Sequence, residues 1–173
     1  DDLSRTNIMK QAASLQGYLA AMRDNAVTHA AMEVTAQGLY LKRVENVCFT
    51  CGVITNITPD HLDFPGGFPG YLAAKQSFPA LLPPGAPLIA NSADALCREA
   101  AARAPGPVIT AALDAPADVV ARLSRLSSRG SEFSLTLSRP LPGADWQWRA
   151  PVTLAAKISL PGRHNVENAL LAA

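Results

Sequence analysis

Up to Pro116 the chain alternates short apolar runs with helical patterns; beyond it, apolar residues recur at every second position. This switch constrains the fold more than any other feature, because the first style belongs to parallel α/β sheets and the second to antiparallel strands with one wet face. Ala30-Ala31-Met32-Glu33-Val34 reads as a short buried strand, and residues 52–57, 87–91 and 108–113 read as three more. Between them, residues 9–22 carry Leu15, Tyr18, Leu19 and Met22 at helical spacing. Residues 68–82 and 93–103 predict further helices, with Pro69 tolerated near a helix start and Pro79 near its end. Residues 119–126, 131–138 and 152–160 alternate, residues 140–150 form a loop carrying Trp146 and Trp148, and a final helix opens at Asn165 with Val166, Ala169 and Leu170 on its buried face. The expected fold is α/β: a mostly parallel sheet flanked by helices, with a small antiparallel sheet, as a single domain over residues 1–173.

Composition narrows the partners. Of 173 residues 49% are hydrophobic, enough for a sizeable core, while 17% are charged and the net charge is +1. Bulk electrostatics therefore favour neither nucleic acid nor a membrane surface. No apolar run approaches the roughly 20 residues that span a bilayer, and no export signal is visible. Three cysteines, an odd number, suit a reducing cytoplasm. Cys48-Phe49-Thr50-Cys51 has redox or zinc spacing, but there is no second such pair and no His pair nearby. It runs straight into Gly52-Val53-Ile54, so buried strand cysteines are the expectation.

Ligands of open α/β sheets gather at the carboxyl ends of strands. Glu33 follows one expected strand; Asn56 ends the next, with Asp60, His61 and Asp63 in the turn behind it and Lys75 on the following helix. A carboxylate, an imidazole and a lysine brought together there can organise a metal and a polyphosphate. Taken singly each has an ordinary reading: a solvated strand end, a helix cap, a core histidine, an exposed helix charge.

Their order and spacing as a set are more specific. Met32-Glu33-Val34-Thr35-Ala36-Gln37-Gly38-Leu39 with Lys42-Arg43-Val44 resembles the "MEVSSHGL…RV" segment of the Mur ligases. Thr55-Asn56-Ile57-Thr58-Pro59-Asp60-His61-Leu62-Asp63-Phe64 resembles their "TNLSRDHLDYH". Tyr71-Leu72-Ala73-Ala74-Lys75 is similar to "Y-x-A-A-K". Leu160-Pro161-Gly162-Arg163-His164-Asn165-Val166-Glu167-Asn168-Ala169-Leu170 is similar to "LPGRHNVYNALAA". The four segments keep the family's order and most resemble the branch that adds the third residue to the muramyl peptide; residues 95–150 match only in pattern. The resemblance implies the central ATP-binding domain of a phosphate-loop type of fold. It implies that Glu33, His61 and Lys75 hold Mg2+, with Lys75 carbamylated and His61 also catalytic. Asn56 would contact nucleotide or metal, and His164, Asn165 and Asn168 would lie by the adenine and ribose of ATP. Asn165 also reads as a helix N-cap.

Two departures qualify the match. The loop G-T-x-G-K-T does not occur in these residues, nor do sequences of the amino-acid-binding C-terminal domain, so this stretch by itself is expected to be inactive and to bind ATP weakly. On the substrate side, Asn7-Ile8-Met9-Lys10 stands where relatives carry N-T-T-P. Thr35-Ala36 replaces a Ser-Ser pair, Gln37 a His and Leu41 a common Gln, while Arg43 is kept and can hold an acidic group. Asn7, Thr35 and Arg43 remain the candidate substrate residues. The implied activity is ATP-dependent amide formation in peptidoglycan precursor synthesis, joining an amino acid to a UDP-muramyl peptide through an acyl phosphate, in the cytoplasm. The alternatives are a sister acid–amino-acid ligase of the cyanophycin or folylpolyglutamate type, and a non-catalytic module that holds substrate.

Overall fold

A computed structural model of the chain describes residues 2–59, 63–138, 140 and 151–173, with side chains from residue 12 onward. The expected loop at residues 140–150, with both tryptophans, falls outside them apart from Pro140. The described chain divides into two compact units, Asp1–Val47 with Asp60–Phe78, and Cys48–Pro59 with Pro79–Ala173.

The first unit is helical. Helix α1, Asp2–Asp24, contains the expected residues 9–22. Leu15 and Leu19, four apart, are half-buried, whereas Tyr18 and Met22 are exposed, so the buried stripe is narrower than the spacing suggests. The helix closes in a Schellman motif: Val27 N–H donates to the Met22 carbonyl at 2.9 Å and Ala26 N–H to that of Arg23 at 3.0 Å. Ala26 holds the left-handed position at φ 58°. Residues 30–34, expected as a buried strand, form none. Ala30 through Glu33 are exposed and have no ladder partner among the described residues. An apolar run becomes a parallel strand only where a neighbour supplies hydrogen bonds and both faces are covered, and the run itself provides neither.

Helix α2, Ala36–Tyr40, follows at once. Thr35 is its N-cap, its Oγ1 accepting from Gly38 N–H at 3.0 Å. Lys42, at φ 55°, ends it in a second Schellman motif, with Arg43 N–H donating to the Gly38 carbonyl at 2.8 Å. Helix α3, Gly67–Ser77, starts after a left-handed Gly66 and passes into a 3-10 turn at Phe78–Leu81. Pro69 lies in its first turn and Pro79 in the 3-10 turn, where the missing N–H groups cost least. At Gly70 a β-carbon would stand 2.0 Å from the Pro65 carbonyl oxygen, so the loop passes over the helix only because there is no side chain.

The second unit is one six-stranded sheet in the order β1-β2-β3-β4-β5-β6: Gly52–Ile54, Leu88–Asn91, Val108–Leu113, Val119–Ser127, Gly130–Leu137 and Val152–Ile158. β1 to β4 pair in parallel and β4 to β6 antiparallel. The small antiparallel sheet expected from the alternating segments is therefore not separate; it continues the parallel sheet through β4, which pairs both ways. Parallel neighbours ordinarily need a crossover of a dozen residues or more. Between β3 and β4 residues 114–118 suffice, because Asp118 is clasped to Thr110. Thr110 N–H and Oγ1–H both donate to Asp118 Oδ2, at 2.9 and 2.8 Å, and Asp118 N–H donates back to Thr110 Oγ1 at 2.9 Å.

The core lies between the sheet and α5, Arg163–Ala172. Ile109, Ala111, Leu113, Val119, Ala121 and Phe133 meet Val166, Leu170 and Leu171, with Ala169 packed beside them, so the helix buries the face its spacing predicts. On β2, Leu88 and Ala90 bury the opposite face. Helix α4, Ala95–Ala101, packs against that strand and buries Cys97, Ala100 and Ala101. The antiparallel strands keep a polar outer face. Across β5 and β6, Thr136 and Thr153 share a hydrogen bond at 2.9 Å, and Glu132 pairs with Lys157 at 3.5 Å.

Candidate functional site

In the helical unit a cleft of about 380 Å3 is lined by Glu33, Thr35, Gln37, Tyr40, Asp63 and Lys75, together with Ala36, Leu41, Phe64, Pro65 and Tyr71. It forms where the irregular segment before α2 faces the start of α3. Edge-on contacts link Tyr40 to Phe64, with ring centroids 5.4 Å apart, and Phe64 to Tyr71 at 5.9 Å; Phe68 stacks on Tyr71 at 6.1 Å. These rings fix the wall from which Lys75 projects. Lys75, one turn beyond Tyr71, is half-buried and carries its Nζ 5.9 Å from the Tyr71 ring centroid.

Glu33 is exposed and has no ion-pair partner among the described residues, which leaves its carboxylate oxygens available. Two of the three metal residues implied by the sequence thus line one cleft, Glu33 and Lys75, and Asp63 joins them. His61 and Asp60 lie outside the described residues, as does the Asn7 side chain. Among the described residues no three acidic, His or Cys side chains cluster to hold a metal. The donor set suits Mg2+ all the same, since that ion is commonly held by one or two carboxylates and completes its shell with phosphate oxygens and water.

The candidate substrate residues divide. Thr35 lines the cleft, but its hydroxyl oxygen already caps α2, so its O–H is what remains for a ligand. Arg43 does not line the cleft; it is half-buried, and its Nε is buried with no hydrogen-bond partner among the described residues. Gln37 and Leu41, two of the departures from the family pattern, both line the cleft.

The sheet unit holds the remaining candidates. β1 ends at Ile54, shorter than the expected residues 52–57, because the next polar groups bond to side chains instead of to a ladder. The Thr55 carbonyl accepts from Asn91 Nδ2 at 3.0 Å, and Ile57 N–H donates to Asp94 Oδ2 at 3.0 Å. Asn56 lies between these two anchors, exposed. Cys48 and Cys51 precede β1 and are exposed, contrary to the expected burial; the strand begins one residue after Cys51 and four after Cys48, and Cys97 is the buried cysteine. Partial burial against the Gly52 carbonyl, 3.6 Å from Sγ, nonetheless pushes the Cys51 thiol pKa up.

At the start of α5 the N-cap is Gly162, not Asn165. Gly162 sits at φ 102° with the His164 ring over it, and a β-carbon there would be 2.7 Å from Cε1. Asn165 lies in the first turn, where its Nδ2 donates to the Pro161 carbonyl at 2.7 Å. Its Oδ1 has no hydrogen-bond partner among the described residues. His164 and Asn168 are exposed. Arg163 pairs with Asp114 at 3.0 Å, tying this turn to the β3–β4 crossover. Asn91, Asp94, Asp114 and Gly162 escape a reading of the sequence for chemistry. Only Asp94, a capping residue directly before an apolar helical pattern, carries a recognisable local signal.

The chain matches the family model described as the Mur ligase middle domain over residues 4–173. It is 37% identical over 158 residues to the UDP-N-acetylmuramoyl-L-alanyl-D-glutamate--2,6-diaminopimelate ligase of Chlamydia caviae, covering 91% of this chain and 30% of the relative. The enzyme of the same name numbered 1 in Clostridium acetobutylicum is 32% identical over 160 residues, covering 92% and 30%. In fold the chain is similar to the UDP-N-acetylmuramoylalanyl-D-glutamyl-2,6-diaminopimelate--D-alanyl-D-alanyl ligase of Acinetobacter baumannii, with TM-score 0.56, 23% identity, and coverage of 75% of this chain and 26% of that one. A murein peptide ligase of Psychrobacter arcticus gives TM-score 0.53 at 20% identity, covering 75% and 24%. The chain thus spans about 30% of the length of the curated relatives it matches. The matched motifs, the mixed sheet and a family match over nearly the whole chain together establish that it belongs to the Mur ligase middle-domain family.

Proposed function

We propose that the full-length protein carrying this domain is an ATP-dependent ligase that joins an amino acid to a UDP-muramyl peptide in peptidoglycan precursor synthesis. The observation that carries the reading is the shared cleft of Glu33 and Lys75, an acidic and a basic group on different segments of one helical unit. In the reaction ATP phosphorylates a substrate carboxylate, and the amine of the incoming amino acid displaces phosphate from the acyl phosphate to leave an amide. Glu33, His61 and Lys75 would hold Mg2+, which would neutralise phosphate charge there.

Lys75 would serve this role as a carbamate: the ammonium first loses a proton to solvent, and the neutral amine then adds to CO2, forming an N–C bond and releasing a second proton, so that a cation that repels the metal becomes an anion that attracts it. Asn56 addresses the nucleotide or the metal, and the turn His164-Asn165, with Asn168, addresses the nucleotide. Thr35 and Arg43 address the muramyl peptide, together with Asn7. The relatives' names make 2,6-diaminopimelate the first amino acid to test. Because the reaction consumes ATP and nucleotide-linked precursors, the cytoplasm is the proposed compartment; no helix among the described residues is long and apolar enough to cross a membrane.

The test is phosphate release by the full-length protein, with ATP, UDP-muramyl dipeptide and amino acid each omitted in turn. Release should require all three. Lys75→Ala should nearly abolish it, and a small carboxylic acid that can enter the vacated space should restore part. A Lys75→Ala enzyme running at the wild-type rate would refute the proposal.

A further inference from the structure

We infer that Asn91 and Asp94 are positioning residues that present Asn56 to its ligand, an inference that rests on the nucleotide or metal role proposed for Asn56. The parallel sheet brings the carboxyl end of β2 beside that of β1, with Ala90 opposite Ile54. From there Asn91 reaches across: its Nδ2 donates to the Thr55 carbonyl at 3.0 Å while its Oδ1 accepts from Ala93 N–H at 3.0 Å. Asp94 divides its carboxylate. Oδ1 accepts from Leu96 and Cys97 N–H at 2.8 and 3.0 Å, capping α4, and Oδ2 accepts from Ile57 N–H at 3.0 Å.

Asn56 is therefore held on both sides by backbone anchors while its own side chain is exposed. A turn that must keep one amide aimed at a ligand cannot rely on a strand ladder, because a ladder would continue the chain straight. Two side chains acting on the residues before and after it fix the backbone and leave the tip free. The second oxygen of Asp94 is the informative atom. An N-cap needs one oxygen, and serine caps as well as aspartate does. If Asp94 were only a cap, the oxygen on Ile57 would be superfluous.

That difference separates the roles experimentally. In the full-length protein, Asp94→Ser keeps a cap for α4 but is too short to reach Ile57. Asn91→Asp keeps the acceptor for Ala93 and loses the donor to Thr55. Both variants should remain folded and melt cooperatively, Asp94→Ser at a lowered temperature because the buried Ile57 N–H loses its acceptor. Asp94→Ser should lower kcat in the ligase assay by roughly ten- to a hundredfold, the scale of an ångström-level misplacement of a reacting group. Combined with Asn56→Ala it should add nothing to the loss caused by Asn56→Ala alone, because both act through the same side chain. Wild-type turnover in Asp94→Ser, or losses that multiply in the double variant, would overturn the inference. A wild-type protein without ligase activity would instead overturn the proposed function. The clamp is then judged by amide exchange: faster exchange at Ile57 in Asp94→Ser upholds it, and equal exchange in both proteins overturns it.

Discussion

Replacing Thr110 by valine tests the contact that allows β4 to lie parallel to β3 after so short a return. Valine keeps the β-branched shape and the backbone donor to Asp118, and removes only the hydroxyl. Two bonds are lost: Oγ1–H to the Asp118 carboxylate at 2.8 Å and Asp118 N–H to Oγ1 at 2.9 Å. The first is charge-assisted, worth about 1.5–3 kcal/mol; the second leaves a half-buried N–H unmet, at about 1 kcal/mol. Their sum, about 2–4 kcal/mol, is a large share of the roughly 5–15 kcal/mol that holds a typical domain folded. At about 2–4 °C per kcal/mol for a chain of this size, the melting temperature should fall by roughly 4–16 °C. Urea titration followed by circular dichroism measures the change, with Thr110→Ser, which keeps the hydroxyl, as the control. A Thr110→Val midpoint within about 0.5 kcal/mol of wild type, the scatter of an ordinary surface change, would show that the crossover does not depend on the clasp. So would a Ser variant as damaged as the Val variant.

Ala26→Gly should stabilise the chain by about 1 kcal/mol, because residue 26 closes α1 at φ 58°, where a β-carbon is strained; a lowered melting temperature would contradict this. Leu170→Ala, on the buried face of α5, should cost about 2–5 kcal/mol in the same urea titration. Gly162→Ala places a β-carbon 2.7 Å from the His164 ring at a strained φ of 102°, so the full-length protein should show a raised KM for ATP; an unchanged KM would remove His164 from the nucleotide site. The raised Cys51 pKa means that the folded state disfavours its thiolate. Its contribution to stability is whole below the ordinary thiol pKa and is lost as pH rises through the raised value. At a given pH below that range, iodoacetamide should label Cys51 more slowly folded than unfolded, and equal rates would refute the burial. The 173-residue chain alone should show no submicromolar Mg-ATP binding by calorimetry; affinity better than about −8 kcal/mol would mean the nucleotide residues are misassigned.

Local pattern and short-range chemistry carried much of this protein's architecture. Periodicity alone separates the parallel strands from the alternating ones, places α5 with Val166 and Leu170 inward, and locates Lys75 on a helix, because side-chain period is a property of the local backbone. The family resemblance likewise needs only residues and their order. What tertiary structure decided are the features that depend on a neighbour. Residues 30–34 have a strand's composition and no strand, since a ladder requires a second chain segment. β4 joins the parallel and antiparallel halves into one sheet, which no period can announce, because Thr110 and Asp118 must first meet across a turn. Thr35 proves to be a cap and Asn165 a first-turn residue bonded to Pro161, distinctions of one or two residues that hinge on where a helix starts. Asn91 and Asp94 look in sequence like a strand end and a helix cap. Their second bonds, to Thr55 and Ile57, span 36 and 37 residues. Contacts so distant in the chain are specified only by the packed fold, because no local preference encodes which backbone group will stand opposite.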